Sequence, residues 1–124
     1  MEHIYPLSAY TNIFIGKKPV AVLFGEKRVE ADNWRKVYSM ITERCNADAT
    51  CHENLMYLRD KVAGRDRVLL SHSPDGMRRY IKIDEDMYAE VGYGTATLLH
   101  ILRDRILAPA HFDYSGIRIV IKSG

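Results

Sequence analysis

The stretch Pro19-Val20-Ala21-Val22-Leu23-Phe24, then Gly25-Glu26, then Lys27-Arg28-Val29-Glu30-Ala31 sets the class of fold. Two runs with strand character are separated by two residues, the first a glycine. That spacing predicts an antiparallel hairpin over 20–31, with glycine at the first central position of a tight turn. Directly after it, Asp32 reads as a helix cap. Trp34, Val37, Tyr38, Ile41 and Cys45 then recur at helical spacing, with Arg35, Lys36, Glu43 and Arg44 elsewhere on the wheel, and Trp34 is expected to anchor the core with Val37, Ile41, Leu98, Leu102 and Ile119. A hairpin running straight into a helix over about 33–46 groups its elements rather than alternating them.

Further along, Thr50-Cys51-His52-Glu53 has capping-box spacing. It precedes a second helix with the stripe Leu55, Leu58 and Val62 and a stop at Gly64. Val68-Leu69-Leu70-Ser71 reads as a strand, His72-Ser73-Pro74-Asp75-Gly76 as a turn, and Arg78 to Ile83 as the returning strand. Asp84-Glu85-Asp86 turns again into a third short strand, Met87 to Val91. Gly92 and Gly94 open a last helix with Leu98, Leu99, Leu102 and Ile106 on one face, which Pro109 ends. Ile117 to Lys122 is a terminal strand. The order β-β-α-α-β-β-β-α-β predicts a single α+β domain, a mainly antiparallel sheet with three helices, over 17–124. Residues 1–16, interrupted by Pro6, Asn12 and Gly16, read as an N-terminal leader in which Ile13-Phe14-Ile15 packs.

Composition excludes several classes. The chain has 124 residues, 47% of them hydrophobic and 27% charged, with a formal net charge of +2. A chain of this kind folds around one core and is neither disordered nor a polycation. Two cysteines make no disulfide framework, and the sequence reads as cytoplasmic. No apolar run approaches the roughly 20 residues of a membrane span, and Met1 to Pro6 lacks the features of a signal peptide. No membrane association and no cofactor are expected.

Motifs for catalysis are weak. Asp84, Glu85 and Asp86 share one solvated turn, whereas a catalytic carboxylate pair needs two different environments. Cys45, Cys51 and His52 lie close in sequence, but the cysteine spacing is wider than that of zinc sites and no second pair exists. Ser71-His72 and Cys51-His52 are neighbours only in sequence. Gly92-Tyr93-Gly94 lacks the rest of a phosphate loop and reads as a strand-to-helix corner, although helix N-terminal N–H groups there could face an anion. The charge layout is more informative. Arg59, Lys61, Arg65, Arg67, Arg78, Arg79 and Lys82 cluster, while Asp84, Glu85, Asp86 and Glu90 carry the opposite sign. Arginines beside an aromatic residue suit phosphate contact and base stacking. The candidate partner-binding face is therefore a basic hairpin of Arg65, Arg67, Arg78, Arg79, Tyr80 and Lys82, with Arg67 and Arg79 on paired strands. Eight tyrosines against three phenylalanines add amphipathic contact area.

Gly16-Lys17-Lys18-Pro19-Val20-Ala21, Phe24-Gly25-Glu26-Lys27 running into Asn33-Trp34, Gly64-Arg65-Asp66-Arg67, and Met87-Tyr88-Ala89-Glu90 follow one another in that order. Together they resemble a small uncharacterised bacterial domain family met in firmicutes, phages and other mobile elements. The resemblance covers about residues 8–122 and implies a mobile-element context without an assigned activity. The expectation is a non-enzymatic binding module, monomer or homodimer, that occupies a protein or protein–nucleic-acid complex. An inhibitor of a bacterial defence nuclease, in the manner of anti-CRISPR proteins, is one instance. The rivals are a direct DNA- or RNA-binding domain using the basic hairpin, and a small metal protein built on Cys45, Cys51 and His52.

Overall fold

The computed structural model describes residues 1–62 and 68–122. It is an α+β domain of three helices and two antiparallel sheets. The expected hairpin is strands β2 (Lys18–Phe24) and β3 (Lys27–Glu30), joined by Gly25-Glu26 with Phe24 opposite Lys27. Gly25 has φ +62°, a conformation that disfavours any side chain, which explains why glycine occupies this turn position.

Residues 2–6 correct the leader reading. Glu2–Pro6 form strand β1, paired with the terminal strand at Ile117–Lys122. His3 and Tyr5 turn toward the core side while Glu2, Ile4 and Pro6 face out, an alternation too short to show in sequence. Leu7 and Phe14 behind β1 are fully buried.

Helix α1 (Trp34–Ala47) buries Val37, Tyr38, Ile41 and Cys45 as its spacing predicts. Its cap is Asn33 rather than Asp32: the Asn33 side chain accepts the Lys36 N–H at 2.8 Å. Helix α2 (Ala49–Leu58) starts one residue after α1 ends, so Asp48 caps it by accepting the Cys51 N–H at 3.0 Å, and Thr50 falls inside the helix. The helix stops at Leu58, before Gly64, which lies outside the described residues.

Strand β4 is Leu70–Ser71, β5 is Tyr80–Asp84 and β6 is Met87–Glu90. The last helix, α3 (Thr95–His100), runs on without a break into a π-wound segment, Ile101–Leu107, and β7 (Ile117–Lys122) ends the description. Strand order is β1-β7-β2-β3 in one sheet and β4-β6-β5 in the other. Helix α1 packs against β2 of the first sheet and β5 of the second. One core joins Val22, Ile119 and Ile121, the stripe of α1, Leu98, Leu99, Leu102 and Ile106, and Leu70, Met87 and Ala89. Among the described residues, no helix is long and apolar enough to cross a membrane.

The strand order also corrects the basic hairpin. Strands β4 and β5 are not neighbours, because β6 lies between them. The Glu90 N–H reaches Leu69 O on one side, and the Val91 N–H reaches Arg79 O on the other. Strand β4 has only two residues, and the chain from 72 to 79 carries it across to the far edge of β6.

A candidate anion-binding groove

The N-terminal end of α1 faces the end of β6 and the start of α3, and a groove of about 700 Å³ opens between them. Asn33, Trp34 and Arg35 form one wall and Arg78 and Arg79 another, with residues 91–95 and Leu98 completing the lining. Among the described residues, the lining contains no carboxylate, histidine or thiol.

Glu90 shapes the arginine wall. It is the last residue of β6 and is fully buried, and its carboxylate accepts the backbone N–H groups of Arg78 at 2.6 Å, Arg79 at 2.9 Å and Gly92 at 2.8 Å. One side chain therefore fastens both groove walls that follow from it: the Arg78-Arg79 segment and the Gly92 corner. Hydrogen bonds from three N–H donors compensate the cost of burying a charge. The sequence pattern puts Glu90 in the third short strand and counts it, with Asp84, Glu85 and Asp86, only as negative charge opposite the basic cluster. The visible signal was its place between Ala89 and Val91, two apolar residues that are also buried.

With their backbones held by Glu90, Arg78 and Arg79 are exposed and their guanidinium groups form no hydrogen bond, ion pair or ring contact with any described residue. The same is true of Arg35 across the groove. Other described arginines are engaged. Arg28 meets Glu30 and Glu2, Arg44 lies over the Phe24 ring at 4.3 Å, Arg59 donates to Asp86 O, Arg103 to Leu7 O and Ala9 O, and Arg118 to Gly25 O.

Trp34 was expected as a core anchor. It is half-buried, packing edge-on against Phe14 with ring centroids 5.5 Å apart, and it donates its Nε1–H to Lys17 O at 3.0 Å. The remaining surface of the indole lines the groove. Opposite it, half-buried Tyr93 lines the groove too, with Tyr38 beside it in the core; burial, and then the neighbouring Tyr93, pushes the Tyr38 hydroxyl far above its ordinary value. Both aromatic side chains are thus fixed by the fold before any ligand arrives. The α-helical part of α3 is only six residues long, so its N-terminus adds little to the groove's charge.

The six candidate residues are dispersed. Arg78 and Arg79 reach the groove. Tyr80 and Lys82 project from the other face of β5 to Ile81 and Ile83, Tyr80 meeting Tyr88 edge-on at 5.7 Å and Lys82 lying 4.0 Å from Glu85. Arg65 and Arg67 lie outside the described residues. Arg35, a groove residue, was read only as the outer face of a helix.

The structure does not turn the His52 ring toward Cys45 and Cys51. Both thiols are buried, and burial followed by the proximity of Cys51 pushes Cys45 up to about 12. The His52 ring turns instead to Asn46 Oδ1 at 2.7 Å and Asp84 at 3.5 Å, tying α2 to α1 and β5. Among the described residues, no group of three His, Cys, Asp or Glu side chains is placed to hold a metal ion. Comparison of the chain with protein-family models, curated proteins and solved structures finds no match.

Proposed function

We propose that this protein is a non-enzymatic binding module that docks an anionic partner, a protein or protein–nucleic-acid complex, into the groove between α1 and the Arg78-Arg79 segment. The observation that carries this reading is the set of three guanidinium groups, Arg35, Arg78 and Arg79, that line one groove with no partner among the described residues. Arginine presents a planar fork suited to phosphate and carboxylate oxygens, and a lining with no carboxylate among its described residues leaves that fork available to a partner. A cytoplasmic, phage-borne inhibitor of a defence nuclease is one module of this type, in which the groove meets nucleic acid held by the nuclease.

The test is retention on immobilised heparin, with Arg35, Arg78 and Arg79 all changed to Gln. The charge-matched control changes Arg28, Arg44 and Arg118 to Gln. The reading expects the groove variant to elute at clearly lower salt than the control, with both folded. Equal elution, or unfolding of the groove variant alone, overturns it. A pull-down from the host with and without nuclease treatment then separates protein from nucleoprotein partners.

A further inference from the structure

The groove has aromatic walls as well as arginines, and its shape is concave. Duplex DNA is read by elements that protrude into its grooves, whereas single strands lie in basic grooves with bases stacked on aromatic rings. Trp34 and Tyr93 are both half-buried groove residues, and the indole is locked by Phe14 and by Lys17 O, so stacking on it costs little ordering. A volume of about 700 Å³ falls in the range of small-ligand sites, enough for a short segment of a strand and too small for a duplex.

Building on the anion-binding reading above, we propose that the groove takes a single-stranded nucleic acid, with a base against Trp34 and Tyr93 and the flanking phosphates on Arg35, Arg78 and Arg79. Thr95 contributes a hydroxyl at the edge of the same lining, able to meet a base or a sugar. The net charge of +2 gives little long-range attraction, so the affinity has to come from these local contacts. Three phosphate contacts set a modest salt dependence: for a single strand, log K should fall with log salt at a slope of about −2.

Trp34 is the chain's one tryptophan, so its emission reports directly on the groove. The full chain is titrated with oligothymidine of about 12 nucleotides, a blunt duplex of the same length, and linear polyphosphate. The proposal expects oligothymidine to quench Trp34 strongly and to bind at least tenfold tighter than the duplex, with the salt slope above. Polyphosphate should compete while quenching far less, and the R78Q/R79Q double variant should lose at least tenfold in affinity for oligothymidine. Duplex binding as tight as the single strand, or binding of the single strand without quenching, overturns the strand assignment. If polyphosphate still binds through Arg78 and Arg79 in either of those cases, the broader anion-binding reading stands. If the double variant binds every probe as well as the natural chain does, both readings fall. Should no nucleic acid bind while an acidic protein is held through these arginines, the strand assignment falls and the module reading remains.

Discussion

On the outer face of the four-stranded sheet, Arg28 reaches from the edge strand β3 to Glu30 at 2.9 Å and on to Glu2 of the opposite edge strand at 3.4 Å. Its path crosses the face that carries Ala21 and Val120, which are fully buried although they stand apart from the main core. In the groove, the guanidinium groups of Arg35, Arg78 and Arg79 form no hydrogen bond, ion pair or ring contact with any described residue. The same residue type thus closes one surface and leaves the other open. The difference is the position of carboxylates after folding. Glu2 and Glu30 come to flank Arg28, while Glu90, the acid nearest Arg79 through the strand pairing, spends its oxygens on backbone N–H groups. A carboxylate turned inward is what leaves these cations for a partner.

Glu90 is therefore where the contrast is most easily broken. Glu90→Ala removes the acceptor of three N–H groups and leaves a void in the core. The expected cost is about 3–5 kcal/mol, at the upper end for a buried polar network. Denaturant unfolding should show a much lower midpoint. Glu90→Gln should also destabilise, since an amide offers one acceptor oxygen where the carboxylate uses two. A Glu90→Ala protein as stable as the natural chain would mean the Arg78-Arg79 segment is held by something else.

Trp34→Ala comes next. The indole is half-buried, so its loss should cost about 2–3 kcal/mol, short of the roughly 3–5 of a fully buried ring. Trp34→Phe keeps a ring on Phe14 and loses the hydrogen bond to Lys17 O, for about 1 kcal/mol. A near-zero cost for the alanine variant would place the whole indole on the binding surface and sharpen the groove's claim to it.

The hairpin, α1, the terminal strand and the class of fold were legible because each rests on local periodicity or on a turn that only glycine suits. Strand β1 was not, since five residues that mix Glu2 and His3 with Ile4, Tyr5 and Pro6 carry no clear pattern until β7 pairs with them. The site was half legible. Arg78 and Arg79 belonged to an evident basic cluster, but the cluster was read as one hairpin. Strand order is a long-range property, and the insertion of β6 between β4 and β5 sends Tyr80 and Lys82 elsewhere. Arg35 and Trp34 were assigned to the helix wheel and the core because nothing local says that the first turn of α1 borders a groove.

Acid titration probes the paired side of the comparison more gently. Asp84 is held below its ordinary value near 3.8 first by the Asn46 side chain and then by the Glu85 N–H, and Asp48 first by the Cys51 N–H. A carboxylate whose folded value is lowered adds stability above its unfolded value, and that stability is lost as pH falls through the folded one. The urea midpoint should therefore hold down to about pH 5 and drop below about pH 4, and Asp84→Asn should flatten part of that drop. Acid sensitivity traced instead to Arg35 or Arg79 variants would show hidden carboxylate partners and close the gap between the two surfaces.

The smallest effect belongs to Arg28. Both of its ion pairs join exposed groups, and such pairs lose in side-chain entropy and solvent screening most of what they gain in attraction. What remains is the cover its aliphatic stem gives to the outer sheet face. Arg28→Ala should shift Tm by only about two degrees, and less still at high salt for the electrostatic part. It should leave heparin elution close to that of the natural chain, because an arginine already met by two carboxylates offers little to a polyanion. Arg79→Ala removes the same formal charge from the groove and should move elution much further while leaving Tm as little changed. If the two single variants elute together, net charge alone governs binding and the distinction between the surfaces has no functional meaning. If they separate, the carboxylates around each arginine, and not the count of arginines, decide where this protein is able to bind.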